Sequence, residues 1–147
     1  MKTKSSIYLV LLFFSSLILQ AQQNPYIKTD SNGTGIKSLN NIAIATVGDS
    51  LNSEISAIAG RSPYYLIFDK NGIFQKSIEN PALSSGGSAS PIVIDLLIQE
   101  SCNAVIAGNF GDKMLNQLKW NKIEYYERDG IANEVLQAFL KKEQSNK

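Results

Sequence analysis

The hydrophobic period changes repeatedly along this chain, and each change marks an element. Residues 41–47, "NIAIATV", form a short branched apolar run that fits a buried strand. The run stops at "GDSLNSE", which is rich in turn formers. Residues 64–69, "YYLIFD", are aromatic and branched and again favour a strand. Asp69-Lys70-Asn71-Gly72 follows directly. An Asn-Gly pair accepts positive φ at low cost, so a hairpin is expected here. "GIFQKSIEN" then alternates apolar and polar positions through Ile73, Phe74 and Ile78, which predicts a partly exposed return strand.

The second half of the chain alternates between the two periods. In "SPIVIDLLIQES", Ser90 is a candidate N-cap and Pro91 a candidate first helical residue. Val93, Leu96 and Leu97 share one helical face, with Ile94 and Ile98 beside it. The branched run Ile92–Ile94 keeps a strand reading open. Residues 103–108, "NAVIAG", fit a buried strand, and Met114, Leu115 and Leu118 then recur at helical spacing. "KIEYYE" reads as a strand. "IANEVLQAFLKKE" closes with Val135, Ala138 and Phe139 on one stripe, and Lys141 and Lys142 near its end suit the helix dipole. The order predicts an α/β fold: one domain over residues 41–142, a mixed five-stranded sheet with three helices packed on it, and a polar tail at 143–147. No internal repeat or heptad run interrupts this reading.

The N-terminus has a different character. Lys2 and Lys4 precede an apolar run from Ile7 to Leu19, and Ala21 offers a small exit residue. Positive start, apolar middle and small exit describe a secretory signal peptide over residues 1–21. A spanning helix needs about 20 apolar residues, and this run is shorter and interrupted by Ser15 and Ser16, so no stable membrane span is expected after processing. Residues 22–40 are polar and turn-rich and read as a flexible lead-in, with a short glycosylation-type pattern at Asn32. The expected location is therefore outside the cytoplasm, periplasmic or secreted.

Composition removes several chemistries. The chain has 14 basic and 13 acidic residues, and loss of Lys2 and Lys4 leaves 12 against 13. A balance so near zero, with no basic patch, excludes nucleic acid as an expected partner. There is no histidine, so neither a Ser-His-Asp nor a Cys-His arrangement can form. The single cysteine, Cys102, cannot make an internal disulfide. A disulfide-linked dimer is the minor alternative to a small, partly buried residue at a helix end. Glu124 and Glu127 lack the spacing of a catalytic pair, and the tyrosines and Trp120 read as core and edge residues.

Four stretches carry a family resemblance: "IAIATVGDSLNSEIS", "AGRSPYYLIFD", "IENPALSSGGSASPIVIDLLIQESCNAVIAGNFG" and "LNQLKWNKIEYYERDGIANEVLQAFL". Together, over residues 41–141, the chain resembles the dinitrogenase iron–molybdenum cofactor biosynthesis domain. The resemblance implies a ribonuclease-H-like layer and a non-catalytic role, with an iron–sulfur or iron–molybdenum cluster as the bound group. Two departures matter. Many members carry a histidine and an aromatic before the Gly-Arg pair, where this chain has Ile58 and Ala59. Members often have a histidine- and glycine-rich stretch after Asn-Pro, where this chain has "ALSSGGSAS".

The candidate ligand-binding residues are Gly60, Arg61, Ser84, Ser85, Gly86, Gly87, Ser88 and Asn109. Small residues at 84–88 let backbone N–H groups converge at a helix start, or else form a solvated connector. The guanidinium of Arg61 grips an anion beside that loop, or else pairs with Asp49 or Glu54. Asn109 and Gly111 line a crevice at a strand end, or else form a turn into a helix. Two functions from different classes follow: an exported binding module, or a protein-interaction module that kept the fold and lost the ligand. The protein partner is open, and the chain is a monomer or a weak homodimer. The shared-crevice reading requires the Arg61 and Ser85 loops to lie at one end of the sheet.

Overall fold

The computed structural model describes residues 40–145. The segment read as a signal peptide, the lead-in up to residue 39 and Asn32 lie outside the described residues. Five strands build one sheet: β1 (Asn41–Thr46), β2 (Tyr64–Phe68), β3 (Phe74–Glu79), β4 (Cys102–Ala107) and β5 (Glu124–Glu127). Their order across the sheet is β3-β2-β1-β4-β5. β1 runs antiparallel to β2 and parallel to β4, β2 antiparallel to β3, and β4 parallel to β5. A short 3₁₀ turn, η1 (Ala59–Arg61), precedes β2. Three helices follow: α1 (Ala89–Gln99), α2 (Asp112–Trp120) and α3 (Ala132–Ser145). The expected mixed sheet with three helices is what forms, and α3 runs three residues into the segment read as a polar tail.

The side-chain alternation explains the layers. Ala43 and Ala45 of β1 and Val105 and Ala107 of β4 face α1 and α2. Ile42 and Ile44 of β1 and Ala104 and Ile106 of β4 face α3. Both central strands are therefore buried on both sides, which is why they read as continuous apolar runs. α1 contributes Val93, Ile94, Leu96 and Leu97 to the first face, and α2 contributes Met114 and Leu118. α3 contributes Ala132 and Leu136 to the second.

Three expectations need correction. Ser88, not Ser90, is the N-cap of α1, and Pro91 is its third residue. Proline is tolerated there because the first-turn amides have no intrahelical partner. The expected β2–β3 hairpin forms, closed by a three-residue loop. Asp69 N donates to Ile73 O at 2.9 Å, and Asp69 Oδ1 accepts from Asn71 N and Ile73 N at 2.9 and 2.8 Å. Only Gly72 has positive φ, at +81°, as in a three-residue loop, and the register shifts by a bulge just beyond. Trp120 is neither core nor edge: it is 87% exposed at the end of α2. The stripe of α3 is also displaced, since Ala138 is exposed and Val135 and Phe139 are half-buried. Finally, α1 and α2 each lead into the next strand through a left-handed non-glycine, Ser101 at φ +54° and Lys122 at φ +57°.

Gly72 ties the hairpin tip to α3. A Cβ there would run into Leu140 Cδ1, on top of the cost of positive φ. Gly72→Ala is expected to lower unfolding stability by about 1–3 kcal/mol, read from chemical denaturation. An unchanged midpoint would show that the tip does not constrain α3.

Candidate functional site

The candidate residues gather at one end of the sheet. β1, β4 and β5 point toward it, β2 begins there and β3 finishes there, since Thr46 pairs with Tyr64 and Tyr64 with Glu79. The Gly60-Arg61 turn, the loop of residues 80–88 and the turn at Asn109 all lie at this end. The shared-end requirement is therefore met. All three helices also start here, so their positive dipole ends share one side of the molecule.

The chain leaves β1 toward β2 and leaves β4 toward β5, which makes the β1–β4 boundary the topological switch point. Open α/β sheets commonly hold ligands there. In this chain main chain fills that position. Gly108 N donates to Ser56 O at 2.9 Å and Ala59 N to Asn109 O at 2.8 Å. A Cβ on Gly108 would fall 2.8 Å from Ala57 Cα, so only glycine admits this crossing.

Several buried bonds fix η1. Tyr65 donates its hydroxyl to Ala59 O at 2.6 Å, and burial raises its phenol above the usual tyrosine range. Ser62 Oγ lies 2.9 Å from Thr46 O and 2.7 Å from Tyr64 O. A Cβ on Gly60 would meet Ala89 Cβ at 3.2 Å and Met114 Cε at 3.4 Å. Gly60 thus lets η1 lie close to the starts of both α1 and α2. Asn80, which the sequence reading passed over, joins this turn to the serine loop. Its Nδ2 donates to Ser62 O at 2.8 Å and reaches Gly60 O at 3.3 Å, while Oδ1 accepts from Ala82 N at 2.9 Å. The available signal was Asn80-Pro81, a turn-initiating pair.

The serine loop divides in two. Ser84 Oγ donates to Pro81 O at 3.3 Å and Ser85 Oγ to Ala82 O at 2.7 Å, so both hydroxyl protons are committed within the turn. Gly86, Gly87 and Ser88 are exposed, and Ser88 makes no side-chain cap bond. Among the described residues, the amides of residues 86–90 that carry a proton find no acceptor. The other helix starts differ. Ala132 N and Asn133 N of α3 donate to Ser53 O and Leu51 O, and α2 carries Asp112 in its first turn. α1 has no acid in its first turn. Arg61 is exposed and forms no ion pair among the described residues, with Asp49, Glu54 or any other acid. Asn109 is engaged as scaffold: Oδ1 accepts from Gly111 N at 2.9 Å and Nδ2 donates to Glu127 Oε1 at 3.3 Å.

A cavity of about 390 Å³ adjoins the loop, lined by Pro63, Tyr64, Glu79, Asn80, Pro81, Leu83 and Ser84. Of the sequence-predicted residues only Ser84 reaches it, and the Glu79 carboxylate on its wall disfavours an anion inside. Cys102 opens β4 at the opposite end of the sheet. Burial, then the nearby Glu100 carboxylate, pushes its thiol up to about 12, with Lys76 opposing. A thiol so protonated is a poor nucleophile and metal ligand at neutral pH. Among the described residues no group of three or more Cys, Asp and Glu side chains converges to hold a metal ion.

Two outcomes follow. Asn80→Ala strands the Gly60 and Ser62 carbonyls and is expected to cost about 1–3 kcal/mol. It should also speed amide exchange in residues 59–62 and 82–85 together; exchange that changes in one segment alone would refute the coupling. Cys102 should resist a thiol reagent at pH 8 in the native protein and react quickly in denaturant. Because the folded thiol holds its proton longer than the unfolded one, stability should fall as pH rises above about 9.

A family model described as dinitrogenase iron-molybdenum cofactor matches residues 40–142. The NMR structure of a NifB-like protein from Thermotoga superposes with a TM-score of 0.60 at 26% identity, over 70% of this chain and 89% of that one. The apo orange protein from Desulfovibrio gigas superposes with a TM-score of 0.65 at 18% identity, over 71% of this chain and 89% of that one, and shares the fold. No curated protein matches the chain by sequence. The family match spans all five strands and all but the last residues of α3, so this chain belongs to the dinitrogenase iron-molybdenum cofactor family.

Proposed function

We propose that the domain is an exported, non-catalytic carrier that holds a preassembled anionic metal–sulfur cluster against the start of α1. The observation that carries this reading is the run of uncommitted amides at residues 86–90, next to the turn that packs through Gly60 on Ala89 and carries the unpaired Arg61. Backbone N–H groups at a positive helix end suit a diffuse anion. Family membership supports a cluster as the cargo. No thiolate or imidazole stands at this end, so the cluster keeps its own terminal ligands and its sulfides accept hydrogen bonds from the loop.

The non-catalytic reading is supported by the absence of histidine and by the proton-bound state of Cys102 and Tyr65. Export is supported by Lys2, Lys4, the apolar run 7–19 and Ala21. Among the described residues no helix is long and apolar enough to cross a membrane. One observation favours the interaction-module alternative: Leu83, at the cavity beside the loop, is 48% exposed.

Anaerobic addition of a preassembled, thiolate-ligated iron–sulfur cluster to the purified protein, followed by desalting, tests the carrier. The expected result is visible absorbance with bound metal, weakened about tenfold or more by Arg61→Gln, the loss of one charged hydrogen bond. Protein that stays colourless, with no thermal shift, would overturn the carrier in favour of the interaction module. An intact mass beginning at Gln22 in the exported fraction checks processing; an uncleaved chain held in membranes would refute it.

A further inference from the structure

The apolar stripe of α3 is wider than the core it serves. Ala132 and Leu136 are fully buried, and Leu140 leans on the hairpin tip at Gly72. Val135, Ala138, Phe139 and Lys142 keep the i, i+3, i+4, i+7 spacing of a single stripe, yet none is fully buried. They overhang the far side of the sheet, where β5 is an edge strand of only 4 residues. A groove of about 270 Å³ results, on the face opposite α1 and α2.

The groove has an apolar floor and a charged rim. Ile106 is its buried base, and Val135 forms one wall. Tyr126 and Phe139 meet edge to face with ring centroids 4.7 Å apart. The Tyr126 hydroxyl is occupied, since it donates to Glu124 Oε2 at 2.6 Å. The rim carries Arg128, Lys142 and Glu143. Arg128 spends one donor, on Glu127 O at 2.6 Å, and its remaining guanidinium donors have no acceptor among the described residues. Lys142 forms no ion pair among those residues. Two cations against one carboxylate leave the lining positive by one charge. The volume lies just below the ~300 Å³ lower end for drug-sized ligands.

We propose that this groove binds a small monocarboxylate with an aryl or branched-alkyl body. The body covers Ile106, Val135 and Phe139, and the carboxylate lies against Arg128 with Lys142 beside it. Glu143 at the rim, with Glu124 behind Tyr126, discriminates against a second negative charge. The site shares no residue with the α1 end and is independent of cluster binding.

Methyl NMR of the full chain, titrated with 1-naphthoate and with the neutral 1-naphthalenemethanol, tests this. Saturable shifts are expected at Ile106 and Val135, with the alcohol binding at least fivefold more weakly. Arg128→Gln should weaken naphthoate about tenfold and leave the alcohol unchanged. Ala138→Trp, at an exposed position, should fill the mouth and abolish both while thermal denaturation shows the fold intact. Equal affinity for acid and alcohol, shifts centred elsewhere, or full binding in a folded Ala138→Trp protein would overturn the proposal.

Discussion

One buried carboxamide, that of Asn80, couples the two segments on which the candidate site depends. Its donor end holds the carbonyls around Gly60, and its acceptor end holds the turn that opens the serine loop. Both segments are irregular backbone with polar groups that cannot be left unpaired away from water. Without this amide, the η1 turn and the loop would each need other partners. With it, Arg61 and the α1 amides keep one geometry, although they lie about 25 residues apart in sequence.

The same end offers hydrogen-bond donors and no imidazole. Imidazoles coordinate; amides and a guanidinium only solvate. Three helix starts gather at this end, and the protein treats each differently. Main-chain carbonyls of Leu51 and Ser53 satisfy α3, and Asp112 partly neutralises α2. Among the described helices α1 alone combines open amides with a first turn free of acids. Proline at its third position removes one donor without breaking the helix, because that donor was never part of the ladder.

The sheet was legible because β1 and β4 are buried on both faces, so their apolar runs are unbroken. The helices were legible through Val93, Leu96 and Leu97 and through Met114 and Leu118. Other features depend on contacts no local pattern records. Ser101 and Lys122 occupy left-handed positions where glycine would have signalled the ends of α1 and α2. The hairpin tip takes its shape from the Asp69 carboxylate, so Asn71 never needs positive φ. The candidate residues were legible as positions, but their contacts were not. Gly60 is a spacer between helix starts, Asn109 a strut to Glu127, and Ser84 and Ser85 close their own turn. Asn80 went unnoticed because a single asparagine before proline looks like any turn.

Trp120 has a practical consequence. It is the only tryptophan in the chain, and it stands almost wholly in water at the end of α2. Its indole therefore meets nearly the same solvent in the native and denatured protein. Intrinsic tryptophan emission will barely change when the sheet comes apart, and a flat fluorescence trace is no sign of an unfolded starting material. The buried Tyr65 ring and the Tyr126–Phe139 pair are the chromophores that sense packing, so near-ultraviolet dichroism of tyrosine is the signal that follows this fold.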